Sequence, residues 1–137
     1  MVATFSVDPE YGFVLASAAF SILVVARKQY KVFYPALYAD KAHNKDADAF
    51  NCVQRGHQNT LENFPAFLGL LLATGLRFPI YATLAGLVWT VGRIVYFKGY
   101  STGDPKARYR GGFCHFGLLG LLVLSVAWAI ELLKARF

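Results

Sequence analysis

The sequence predicts an all-α fold: one domain of four helices crossing a membrane as a bundle. Three observations carry this expectation. Hydrophobic residues make up 56% of the 137-residue chain and charged residues only 16%, against about 45–50% and about 25% in soluble domains. The apolar residues gather into four runs, and a chain this short with so little polar surface cannot cover itself in water. None of the runs shows the strand-length alternation that a membrane barrel requires. The net charge of +6 does not point to nucleic acid, because no soluble module remains to carry a basic patch once the runs are removed.

The elements follow in order. The first run, Tyr11–Ala26, is preceded by Asp8-Pro9-Glu10, which reads as an N-cap, a proline at the first helical position and an acid on the positive helix end. The residues before it lack a basic n-region, so this run is expected to stay in the mature protein. The second run, Phe64–Leu76, reaches the roughly 20 residues needed to span a core of about 30 Å only if the polar segment before it is part of the same helix. Ile80–Phe97 forms the third run, interrupted by Arg93, and Phe113–Leu133 the fourth. Helices at roughly 9–38, 50–76, 79–100 and 109–134 follow, within a single domain over 1–137. The tight connection GLRFPI makes the second and third an antiparallel hairpin.

Lysine and arginine set the orientation. The connection between the first and second helices, with its flanks, carries Arg27, Lys28, Lys31, Lys41, Lys45 and Arg55. The connection between the third and fourth carries Lys98, Lys106, Arg108 and Arg110. The opposite side has Arg77, Lys134 and Arg136. Ten cations against three place the loops 27–60 and 98–110 in the cytoplasm.

Polar residues then fall into register. Arg55, Asn59 and Glu62 are spaced i, i+4, i+7 and share one helix face. Arg93, Tyr96 and Tyr100 repeat the pattern on the third helix, while Arg27 and Lys31 end the first and Arg108 and Arg110 precede the fourth. Ionisable residues inside a membrane have partners or a task. Each piece has a plain structural reading: snorkelling for Lys28 and Lys31, interfacial anchoring for the tyrosines, mutual neutralisation for Arg93 and Glu62. Their coincidence at one depth, with excess positive charge, suits a small polyanion. A peptide with two carboxylates would take bidentate arginine contacts, and Glu62 would suit its ammonium. If it carried a thiol, a nearby arginine would stabilise the thiolate, which is the nucleophile. Apolar co-substrates would arrive sideways from the lipid. His57 has no second histidine at ligand spacing, and Cys52 and Cys114 form no ligand pair, so no metal is expected. Cys114, within an apolar run, reads as a small hydrophobe.

The run RGHQNTLENFP resembles the R-x-x-x-N-x-x-E signature of the MAPEG family, the membrane-associated proteins in eicosanoid and glutathione metabolism. VGRIVYFKGYSTGDPKARYRG is similar to that family's third helix and the loop after it. The resemblance covers nearly the whole chain. It implies a homotrimer with glutathione as co-substrate, bound between neighbouring subunits, and a lipophilic electrophile or lipid from the bilayer. Carried over by position, Arg55, His57, Asn59, Glu62, Tyr96 and Tyr100 would hold glutathione, joined by Arg27 from the adjacent subunit. Arg108, with Arg110 as the alternate, would activate the thiol. Arg93 would support the site from behind, and Lys28 stands where the family has a second arginine. Asn63 occupies a position that is tyrosine in several relatives. The implied activity is glutathione transfer, with lipid hydroperoxide reduction and leukotriene C4 synthase-type conjugation as compatible forms, in the endoplasmic reticulum or another internal membrane. A non-catalytic lipid-binding member of the family and a small transporter subunit are the alternatives.

Overall fold

The computed structural model describes residue 32 and residues 36–136. Arg27, Lys28, Lys31 and most of the first expected helix lie outside the described residues. Within them the order is α1 (Ala47–Gly75), α2 (Pro79–Tyr100), a 3-10 helix (Pro105–Gly111) and α3 (Cys114–Lys134), with no strand among the described residues. The regular structure of the described residues is all-helical, and α2 and α3 are each long and apolar enough to cross a membrane.

Helix α1 joins the polar segment and the second apolar run into one element of 29 residues. At about 1.5 Å per residue it is about 44 Å long, well beyond a hydrocarbon core of about 30 Å. Its polar first half can therefore stand in the aqueous layer while Phe64 onward enters lipid. Pro65 lies inside the helix, where its ring removes one donor of the backbone ladder, close to the switch from polar to apolar sequence. Helix α2 opens with Pro79 in its first turn, where a fixed φ costs nothing.

The bundle is sealed by one aromatic and aliphatic core. Phe67 of α1 stacks on Trp89 of α2 with ring centroids 3.7 Å apart. Leu71, Ala82, Cys114 and Leu121 pack into the same cluster. Helix α3 can lie close against α2 because Gly117 has no Cβ; one there would sit 2.5 Å from the Ala85 carbonyl oxygen. Small residues are how membrane helices approach one another. At the far end Arg77 Nε donates to Glu131 Oε2 at 3.0 Å, tying the α1–α2 turn to α3. The outward faces of α2 and α3 remain apolar, with Leu84, Val91, Leu119, Val123 and Val126 exposed, as lipid contact demands.

Two boundaries differ from expectation. The first helix was expected to reach residue 38, yet residues 36–40 are not helical. The Asn51 side chain takes both backbone groups of Ala39 instead, accepting from its N–H at 2.8 Å and donating to its carbonyl at 3.0 Å. The fourth helix was expected from 109, but residues 105–111 wind as a 3-10 helix and α3 begins at Cys114. Asp104 caps that 3-10 turn by accepting from the Lys106 N–H at 2.9 Å, and Pro105 supplies the helical φ.

The Asn51 clamp gives a test. Asn51→Ala should lose about 1–2 kcal/mol, the net value of two half-buried hydrogen bonds. The segment around Lys41 and Lys45 should then be cut faster by trypsin, while α2 and α3 stay protected.

Candidate active site

The site is assembled at the end of the bundle that carries the 3-10 helix, from α1 upward. Gly56 turns its face to α2, where Phe97 and Tyr100 lie against it. That contact fixes the rotation of α1 and leaves Arg55 and Asn59 beside the α2 tyrosines. Arg55 Nη1 lies 3.2 Å from Glu62 Oε1, one i, i+7 step along the helix face. The Glu62 charge first of all holds the Arg55 guanidinium in its charged form.

Arg93 organises the interior. It is 2% exposed, and its Nη2 donates to Asn59 Oδ1 at 3.0 Å and to Thr60 Oγ1 at 2.7 Å. Its guanidinium carbon lies 4.5 Å from the Tyr96 ring centre, within cation–π range. Mutual neutralisation of Arg93 and Glu62, one structural reading of the sequence, is thus replaced: Glu62 pairs with Arg55, and Arg93 bonds to Asn59 and Thr60. Since arginine can only donate, Asn59 must turn its carbonyl oxygen inward. Its amide N–H groups remain for a ligand.

Tyr96 and Tyr100 stack with centroids 5.9 Å apart and planes 7° from parallel. The 3-10 helix brings Arg108 against them: its Nη1 donates to the Tyr100 hydroxyl at 3.1 Å and its Nη2 to the Tyr109 hydroxyl at 3.3 Å. These bonds, to Tyr109 first and Tyr100 next, stabilise the charged guanidinium. Each phenol accepts from Arg108, so each keeps its own proton to donate.

These groups surround a cavity of about 390 Å³, within the roughly 300–1,000 Å³ usual for small-ligand sites. Arg55 and Asn59 line it from α1, Tyr96 and Tyr100 from α2, and Arg108 and Tyr109 from the 3-10 helix. Gly112 and His115 close it at the start of α3. Among the described residues the lining holds two arginines and no carboxylate, so it favours an anion.

Of the residues singled out from the sequence, Arg55, Asn59, Tyr96, Tyr100 and Arg108 come together here. Arg110 is exposed and does not line the cavity. Glu62 reaches the site through Arg55, and Arg93 lies behind it. His57 is not among the lining residues; it is half-buried, and that burial pushes its imidazole pKa down. Sequence reasoning missed Tyr109 and His115. Tyr109 could have been found from its place beside Arg108, but His115 was hidden at the head of an apolar run.

Comparison with known proteins gives the same family as the motifs. The MAPEG family model matches residues 12–130. The chain is 38% identical over 106 residues to microsomal glutathione S-transferase 2 of Homo sapiens, covering 77% of this chain and 67% of that protein. It is 36% identical over 130 residues to the uncharacterized protein sll1147 of Synechocystis, covering 88% of each. Leukotriene C4 synthase of Bos taurus is 34% identical over 90 residues, or 64% of this chain and 55% of that protein. The matched relatives include both a microsomal glutathione S-transferase and a leukotriene C4 synthase, so it is the family rather than a branch that the matches establish. With residues 12–130 matched and the helical membrane bundle in place, this chain belongs to the MAPEG family.

Proposed function

We propose that the protein is an integral membrane glutathione transferase, joining the glutathione thiolate to lipophilic electrophiles. The observation that carries this reading is the cavity: two arginines, an amide donor and three phenols converge on it from three elements, beside apolar helix faces. Arg55 and the Asn59 amide suit the carboxylates of glutathione, and Glu62, beside Arg55, suits its ammonium. Arg108 would stand against the thiolate, with the Tyr100 and Tyr109 hydroxyls as further donors. The electrophile would enter from the bilayer along the exposed apolar faces. Reduction of lipid hydroperoxides starts from the same thiolate and belongs to the same reading, as does conjugation of a fatty epoxide. The proposal includes a homotrimer in an internal membrane, with Arg27 of a neighbouring subunit completing the site. Arg27 and Lys28 lie outside the described residues, so their part rests on the resemblance alone.

The test is a titration of purified protein with glutathione, following the ultraviolet thiolate absorbance across pH. The expected result is a bound thiol ionised well below its ordinary pKa of about 8.5. Binding without ionisation would indicate a lipid-binding relative that kept the site and lost the chemistry. Absence of binding would return Arg55, Asn59 and Glu62 to structural pairing.

Glu62→Gln separates binding from folding. The Arg55–Glu62 pair is half exposed, and such pairs contribute about 0–1 kcal/mol to stability. The thermal midpoint should therefore barely move. Glutathione affinity should fall several-fold, because Glu62 faces the ligand's ammonium and steadies Arg55. Unaltered affinity would remove Glu62 from the site.

A further inference from the structure

Arginine stabilises a thiolate but cannot take the proton that leaves the thiol, so the reaction needs an acceptor. Within the cavity the choices are few. Arg55 and Arg108 keep their protons, the Asn59 amide is not basic, and the phenols of Tyr96, Tyr100 and Tyr109 are already protonated. Among the described lining residues this leaves His115, in the first turn of α3.

The tautomer of His115 is set by its surroundings. Its Nδ1 lies 2.9 Å from the Gly112 carbonyl oxygen, and a carbonyl can only accept, so the proton is on Nδ1. Cys114 Sγ lies 3.5 Å from the same nitrogen. Both contacts occupy the Nδ1 edge of the ring, which leaves the Nε2 lone pair as the basic site of a ring that lines the cavity. Histidine is the side chain whose ordinary titration falls near neutral pH.

We propose that His115 Nε2 is the acceptor for the glutathione thiol proton, an inference that rests on the glutathione reading above. The S–H bond breaks, its electron pair stays on sulfur beside Arg108, and the proton moves to Nε2 to give an imidazolium. The titratable groups that line the cavity with it are Arg55 from α1, Arg108 and the Tyr109 phenol from the 3-10 helix, and the Tyr96 and Tyr100 phenols from α2, with the Cys114 thiol beside it. Once the sulfur has bonded to the electrophile, the proton passes on to the leaving group or to water, and the neutral ring is restored.

The experiment counts protons. Protein and glutathione are mixed rapidly in weak buffer with a pH-indicator dye, and thiolate absorbance is followed in the same shot. The unsubstituted protein should form thiolate while releasing fewer protons than thiolates. In His115→Asn the amide nitrogen can still donate to the Gly112 carbonyl, but Nε2 is gone. That variant should release one proton per thiolate and form thiolate about 10²-fold more slowly, the lower end of general-base effects. Its affinity for S-methylglutathione, which has no thiol proton, should be unchanged. One proton released per thiolate by the unsubstituted protein would overturn the role of His115, whether or not the variant folds, and would leave the glutathione reading standing. An unslowed His115→Asn would overturn it as well. No thiolate from the unsubstituted protein would sink the glutathione reading itself, and His115 with it.

Discussion

Arg108→Ala should lower turnover with glutathione by about 10²–10³-fold, the usual cost of removing one preorganised donor to a developing charge. The guanidinium is not a loose surface cation. It is held by two phenol oxygens, at 3.1 Å and 3.3 Å, and stays charged throughout the pH range of activity. Its effect on the thiol should therefore be electrostatic: an opposite charge beside a thiolate favours the ionised form. Without it, the bound thiol pKa should rise toward its ordinary value of about 8.5, and the acid limb of the pH–rate profile should shift upward by the same amount. Affinity should fall less than turnover, because on the proposed function Arg55 and Asn59 would still meet the carboxylates. Arg110→Ala is the proper comparison, since Arg110 is two residues on, exposed and outside the cavity lining. If Arg110→Ala carried the loss and Arg108→Ala did not, the roles would be reversed.

The parts of this site legible in the sequence are those fixed by helix periodicity. Arg55 and Asn59 share a face because they are four residues apart, and Tyr96 and Tyr100 stack for the same reason. The span lengths required α1 to carry its polar segment as helix, since Phe64–Leu76 alone is too short for a bilayer. What could not be read are contacts that depend on how one element folds back on another. Arg93 and Glu62 looked like partners because both are ionisable and near one depth. Arg93's choice of Thr60 with Asn59 depends on the rotation of α1 that Gly56 permits, whereas Glu62 finds Arg55 within α1 itself. Tyr109 and His115 enter the cavity only because residues 105–111 form a 3-10 helix against α2. With 3.0 residues per turn rather than 3.6, that segment gives its side chains a different phase from the regular helix expected from residue 109.

Gly111→Ala tests that last dependence and should be among the most damaging single substitutions in the chain. A Cβ at Gly111 would collide with the backbone nitrogen of Tyr96 and the carbonyl oxygen of Gly92, and would lie 2.5 Å from the Tyr96 Cα. These are main-chain atoms in the middle of α2, so no rotamer change can relieve the clash. Separation of the 3-10 helix from α2 is the remaining route. Overpacking of this kind costs about 1–3 kcal/mol, occasionally more, and with no flexible neighbour to yield we expect the upper end. The functional loss should exceed the loss of stability, because Arg108 and Tyr109 ride on the displaced segment while Tyr96 and Tyr100 stay behind. Gly69→Ala gives the opposite sign from the same chemical change. Gly69 is exposed in α1 with nothing within 4 Å of the added carbon, so exchange for a better helix former should stabilise by about 0.5–1 kcal/mol. Thermal unfolding in detergent and glutathione turnover, measured on both variants, separate the two explanations. A low midpoint with thiolate lost only in Gly111→Ala means that the close approach to α2 builds the site. Equal, small effects in both would mean that the 3-10 helix can move away from α2 without carrying Arg108 out of the cavity.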